Sequence, residues 1–271
     1  MARLIPVDDP TDDRLASFRL GERGLASRAD KRDDAGAGLF LAEGDLVVER
    51  ALDAGCRPFV GLADGQRLPD LAHRLVAAGC DVYVGGERIR RFVTGLGMPH
   101  PVVALFHRPA RPAPSSLVER SERLVVVEGV DNPSNVGAIV RNAAALGWDG
   151  LLLDHTSADP LARRALRVAM GTAFSLPHAR STSLDAELDR MVDREIFALT
   201  PSSDAIPIGE VRPSGRRAIV IGSERSGLSA AVLARAVPVR IPMTAGVDSL
   251  NAAAAAAVAC FALGGQSWPA D

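Results

Sequence analysis

Lysine is all but missing from this chain: Lys31 is the only one among 31 basic residues, and the others are arginine. Bulk positive charge is missing too, because 33 acidic residues bring the formal net charge to −2. A protein that holds nucleic acid by bulk charge usually carries a strongly basic domain, so the net charge argues against that mode but does not exclude a local basic face. Arginine does supply planar forks suited to phosphate. Cysteine is scarce. Cys56, Cys80 and Cys260 form no CxxC pair and are odd in number, so buried thiols in a reduced, cytoplasmic setting are expected. His73, His100, His107, His155 and His178 are scattered without ligand spacing, and no metal site is expected. The opening MARLIPVDDP lacks the apolar core of a signal peptide. The longest apolar run, 252–265, is too short to span a bilayer, so no membrane association is expected.

What is present is the composition of a globular protein, 47% hydrophobic and 24% charged, in 271 residues that can bury two cores. Residues 1–38 are charged and read as partly flexible, with a short helix over 14–25 and a joint at Ala35-Gly36-Ala37-Gly38. From residue 39 strand and helix alternate. Strands are predicted at 39–42, 58–62, 81–84 and 102–106, and helices at 43–54, 68–78 and 87–96. This defines an α/β domain over 1–108. The proline-rich RPARPAPSS that follows predicts a semi-rigid linker over 109–116. A second α/β alternation fills 117–271. Its strands are predicted at 124–128, 150–154, 173–176, 195–199, 217–221 and 239–241. Its helices are predicted at 136–146, 160–170, 183–192, 229–234 and 249–263. These strands are apolar throughout, as strands covered on both faces are, which predicts a parallel sheet.

Ligands of such sheets sit beyond the carboxyl ends of the strands, and three of those ends are unusual here. One is Glu128 to Arg141, EGVDNPSNVGAIVR, where Pro133 forces an extended turn and Ser134 or Asn135 meets the helix entrance as a cap. Another is Gly222 to Leu228, GSERSGL, which brackets Glu224 with glycines. It is not a P-loop, and the chain holds no G-x-G-x-x-G opening a helix after a strand. The third runs from Arg240 through Pro242 and Gly246 to Ser249-Leu250-Asn251 and an alanine-rich helix. By position Ser249 is a helix N-cap. The polar pair Ser249 and Asn251 at the mouth of an apolar element also admits a chemical role.

Taken together and in order, NVGAIVR, the Gly222–Leu228 loop and the stretch from Ile241-Pro242-Met243 to Asn251 resemble the motifs of the SpoU (TrmH-type) RNA ribose methyltransferases, a branch of the SPOUT superfamily. The resemblance covers roughly residues 122–264. Residues 40–44, FLAEG, add a weaker likeness to the substrate-binding domain that many such enzymes carry in front. Two departures stand out: Gly246 falls one residue late, with Ala245 in its usual place, and Ala252-Ala253 replace the frequent Val-Ser.

The resemblance implies an α/β fold whose C-terminal SPOUT parallel sheet carries a trefoil knot, preceded by a smaller α/β RNA substrate-binding domain. It also implies a homodimer formed through the C-terminal domain. The implied reaction is transfer of a methyl group from S-adenosyl-L-methionine to a ribose 2′-hydroxyl in RNA, with ribosomal RNA favoured. A tRNA 2′-O-methyltransferase, or a non-catalytic RNA-binding or ribosome-assembly protein of the same fold, is the alternative. Carried over residue by residue, Arg141 is the principal catalytic group, with Asn135, Glu224, Ser249 and Asn251 around it. Thr200, Gly222, Ile241 and Leu250 fall at cofactor-binding positions. Two arginine clusters, Arg88, Arg90 and Arg91 on one predicted helix and Arg163, Arg164 and Arg167 on another, are candidate RNA contacts. Charged helix faces are as often simply solvated.

Overall fold

The computed structural model describes residues 2–26, 38–95 and 98–265; the joint expected at residues 35–38 lies almost wholly outside them. The chain divides into two compact units, Met1–Ala110 with Leu161–Phe174, and Arg111–Pro160 with Ser175–Asp271.

The first unit holds β1 (Leu4–Pro6), α1 (Glu22–Leu25), β2 (Leu39–Glu43), α2 (Asp45–Asp53), β3 (Pro58–Asp64), α3 (Asp70–Ala77), β4 (Asp81–Gly85), α4 (Glu87–Thr94) and β5 (Val102–His107). The strands form one sheet in the order β1-β4-β3-β5-β2. β5 runs antiparallel to both its neighbours, while β1, β4 and β3 are parallel. Leu41, Leu62, Val103 and Leu105 pack with Leu15, Phe18 and Ile89 into its core. The helix expected over 14–25 is a 3₁₀ segment, Asp13–Arg19, followed by α1. Asp12 caps the 3₁₀ segment by accepting the Arg14 N–H.

The second unit holds α5 (Pro114–Arg120), β6 (Arg123–Val127), α6 (Pro133–Ala145) and β7 (Gly150–Leu153). The next helix, α7 (Arg163–Ala169), belongs to the first unit and packs on β2. The second unit resumes with β8 (His178–Arg180), α8 (Leu184–Asp189), β9 (Glu195–Leu199), β10 (Ile206–Pro207), β11 (Arg217–Ile221), α9 (Ala230–Leu233), β12 (Val237–Arg240) and α10 (Ala252–Ala262). Its seven strands are all parallel, in the order β10-β12-β9-β11-β6-β7-β8. As their uninterrupted apolar runs require, the central strands are covered on both faces: Leu124, Val125, Val126, Ala218, Ile219 and Val220 are wholly buried.

Three expectations need correcting. The linker ends early, because Pro114 opens α5 at a position where its missing N–H costs nothing, and Leu117 and Val118 are buried. The strand expected over 173–176 is instead a 3₁₀ turn, Thr172–Phe174, and the strand follows at β8. Gly171, at φ 79, turns the chain ahead of it. Finally, α10 starts at Ala252, so Ser249 is not its cap; Asn251 is. Among the described residues, no helix is long and apolar enough to cross a membrane.

Candidate active site

β12, β9 and β11 lie side by side, and their carboxyl ends open into one cavity of about 610 Å³, within the usual range for small-molecule sites. β9 ends in Leu199 and leads to Thr200, β11 ends in Ile221 and leads to Gly222, and β12 leads to Ile241 and Met243. The entry to α10, Ser249 to Ala252, closes the rim. Gly222 has no room for a side chain: a Cβ there would stand 2.6 Å from the Gly227 carbonyl carbon and 2.8 Å from the Leu228 nitrogen. The two ends of that loop therefore touch backbone to backbone.

Two loops and the first turn of α6, distant in sequence, are tied together beside this cavity. The Asn135 amide donates to Glu224 Oε1. The Asn251 amide donates to Asn135 Oδ1 at 3.0 Å. Asn251 Oδ1 in turn accepts the N–H groups of Ala253 and Ala254, at 3.0 and 3.3 Å, and so caps α10. Asn135 itself is no cap, since Asn132 takes that place on α6 by accepting the Ser134 N–H at 2.9 Å. α6 and α10 are further latched where the Asn142 amide donates to the Ala253 carbonyl at 2.9 Å. The small alanine side chains of α10 allow that approach.

The structure thus brings together Asn135, Glu224 and Asn251, and it places Glu224, Ser249, Asn251, Thr200, Gly222, Ile241 and Leu250 on the cavity wall. Ser249 is exposed there. Arg141 does not join them. It sits exposed on α6, outside the cavity lining, with no hydrogen bond or ion pair to a described residue.

A buried latch next to these loops carries no sequence motif of its own. The Asp154 carboxylate, at the end of β7, accepts the N–H groups of Gly129, Thr156 and Ser157 at 2.9–3.1 Å, and both hydroxyls of Thr156 and Ser157. Burial pushes its pKa up, but the bonds from Ser157, Thr156 and Gly129 outweigh burial and hold it below the ordinary value. Gly129, fixed in this way at φ 70, leaves only 3.3 Å between a would-be Cβ and the Ser223 Cβ of the glycine-bounded loop. Asp154 followed by Thr156 and Ser157 is a side-chain turn pattern, and that was the only signal available.

The arginine clusters separate. Arg88, Arg91 and Arg164 are exposed, with Arg91 paired to Glu87 at 2.7 Å. Arg90 is buried instead, donating to Asp64 Oδ2 and the His100 carbonyl, each at 2.7 Å. Arg163 donates to the buried Glu43 carboxylate at 2.6 Å and to the Thr94 carbonyl, while Arg167 lies 3.7 Å from the other Glu43 oxygen. Arg90 and Arg163 therefore serve the interior of the first unit. Cys56, Cys80 and Cys260 are free and buried, and burial pushes the Cys56 thiol to about 11 and the other two to about 12. At neutral pH they are protonated and inert. Among the described residues no group of three or more His, Cys, Asp or Glu could hold a metal ion.

Comparison with known proteins agrees with this geometry. Residues 122–261 match the model of the SpoU rRNA Methylase family. An uncharacterized tRNA/rRNA methyltransferase of Mycobacterium tuberculosis is 36% identical over 94% of this chain and 90% of its own. The 23S rRNA (guanosine(2553)-2′-O)-methyltransferase RlmP of Bacillus subtilis is 28% identical over 87% of this chain and 92% of its own. Among solved structures, the SpoU methyltransferase AviRb from Streptomyces viridochromogenes, in complex with AdoMet, superimposes with a TM-score of 0.76 at 27% identity, over 93% of this chain and 96% of that one. Motifs, site geometry and relatives converge, and the chain belongs to the SpoU rRNA methylase family.

Proposed function

We propose that this protein transfers a methyl group from S-adenosyl-L-methionine to a ribose 2′-hydroxyl of ribosomal RNA. The observation that carries the reading is the hydrogen-bonded chain Glu224–Asn135–Asn251, which gathers all three motifs at the rim of one cavity. The cavity fits the cofactor. Its walls offer apolar surface from Leu199, Ile241 and Leu250 for a purine, and the bare backbone at Gly222 permits close approach. When bound, the sulfonium supplies a methyl group and becomes neutral.

The chain's own task is geometric. A ribose hydroxyl is a weak acid and a weak nucleophile, so it has to be aligned and relieved of its proton. Ser249 and Asn251 offer neutral hydrogen bonds at the rim for that alignment. The planar cationic fork of an arginine suits Arg141 to holding the neighbouring phosphate and stabilising the forming alkoxide better than to acting as a base. Arg88, Arg91 and Arg164 stand as exposed cations for the RNA backbone.

A homodimer built on the C-terminal domain accounts for two further features. Arg141 stands outside the cavity of a single chain, and α10 exposes Ala254, Val258 and Phe261 along one face. We place the trefoil knot where β12 inserts between β10 and β9 before the chain returns as α10 against α6. The three protonated, buried thiols fit a reducing cytoplasm.

The test is Arg141→Ala. It should abolish transfer of a labelled methyl group to bulk RNA, by about 1,000-fold or more if the alkoxide loses its main stabilising charge, while cofactor affinity stays within about twofold. Undiminished transfer would reject the assignment, and ribose-methylation maps of RNA from cells with and without the protein would identify the target.

A further inference from the structure

The cavity wall carries two charged side chains, Glu224 and Arg225, neighbours at the tip of the loop between Gly222 and Gly227. The base of that loop is closed: the Gly227 N–H donates to the Ser223 carbonyl at 2.9 Å, and the two residues form an antiparallel bridge. The Arg225 N–H donates to Ser223 Oγ at 3.2 Å, which fixes the backbone from which the side chain departs. Glu224 is already engaged by the Asn135 amide. The Arg225 guanidinium is exposed and has no hydrogen bond or ion pair to a described residue.

We propose that Arg225 binds the α-carboxylate of the cofactor's methionyl group, an inference that rests on the S-adenosylmethionine reading of the cavity. The cofactor carries two cationic centres, its sulfonium and ammonium, and a single anion, the carboxylate. The described lining carries a single cation, Arg225. Its other polar side chains near the loop are hydroxyls, Thr200, Ser223 and Ser226, which can accept from an ammonium but cannot neutralise a carboxylate. A planar fork that grips both carboxylate oxygens is the strong form of this contact. Arg141, off the cavity wall, stays available for the RNA phosphate, so each arginine has its own anion.

Two probes separate the possibilities without any RNA substrate. S-Adenosylhomocysteine keeps the amino-acid moiety, whereas 5′-methylthioadenosine keeps the nucleoside and thioether and lacks the carboxylate. Calorimetric titration of the full-length wild type, Arg225→Ala and Arg225→Lys with both compounds is the experiment. Arg225→Ala should weaken S-adenosylhomocysteine by about ten- to a hundredfold and 5′-methylthioadenosine by less than about twofold. Arg225→Lys should fall between, since an ammonium keeps the charge and loses the fork. Equal weakening of both compounds, or an unchanged affinity for S-adenosylhomocysteine, overturns the proposal. Unchanged affinity with loss of RNA retention on filters would give Arg225 to a phosphate instead. A wild type that binds neither compound overturns the cofactor reading itself.

Discussion

Asp154 and Arg90 each act within the interior of their own unit. The Asp154 carboxyl titrates below its ordinary value, so its folded pKa lies below its unfolded one, near about 3.9. Such a group stabilises the fold above the unfolded pKa, and that contribution drains away as pH falls through the folded one. Asp154→Asn should therefore lower stability at neutral pH and flatten the acid limb of the pH–stability curve. Urea unfolding at stepped pH reads both, and an acid limb identical to wild type would refute the role. Arg90 and its neighbours make the opposite kind of pair. Arg90→Ala leaves Asp64 without its cation and should cost about 3 kcal/mol of stability. The double variant Arg88→Ala, Arg91→Ala removes only exposed charge and should cost less than about 0.5 kcal/mol. That double variant should instead weaken RNA binding and lower its salt slope. Denaturant melts and filter binding across a salt series check the two halves, and an unchanged slope would remove Arg88 and Arg91 from the RNA surface.

Elements divide into those that announce themselves and those that do not. The parallel sheet was legible because strands covered on both faces are written as unbroken apolar runs, as in Leu124-Val125-Val126-Val127. The three loops were legible because Pro133, Gly222 and Gly246 interrupt regular structure where a strand ends. β1 and β10 were not, being three and two residues long, too short to show alternation. Nor was the allegiance of α7, whose apolar face of Ala165, Leu166 and Ala169 would suit either sheet. What ties it to the first unit is Arg163 on Glu43, a pair 120 residues apart that no local pattern encodes. The cap of α10 was misplaced by two residues because Ser249 and Asn251 have similar capping chemistry. A loop packed on its own backbone also makes a sharp prediction. Gly222→Ala must drive backbone apart at 2.6 Å, so cofactor affinity should fall by about tenfold or more. Calorimetry decides it, and a tight-binding variant would show that the loop can yield.

For the whole molecule, the consequential surface is the face of α10 that carries Val258 and Phe261, 40% and 65% exposed. Exposed apolar side chains of that size on an alanine-rich helix suit the proposed subunit contact. If this face forms the proposed dimer contact, Phe261→Glu should leave the protein monomeric in sedimentation and reduce transfer at least about tenfold, while each chain keeps its cofactor. A wild type sedimenting at monomer mass would dismiss the dimer. The amide of Asn135 stands between Glu224 and Asn251, each contributed by a different loop. Damage to such a trio saturates: once one member is gone, the survivors have little left to lose, and second lesions come nearly free. Descendants relieved of the need to methylate would then shed the three positions together, and a paralogue keeping two of the three would mark a departure caught early.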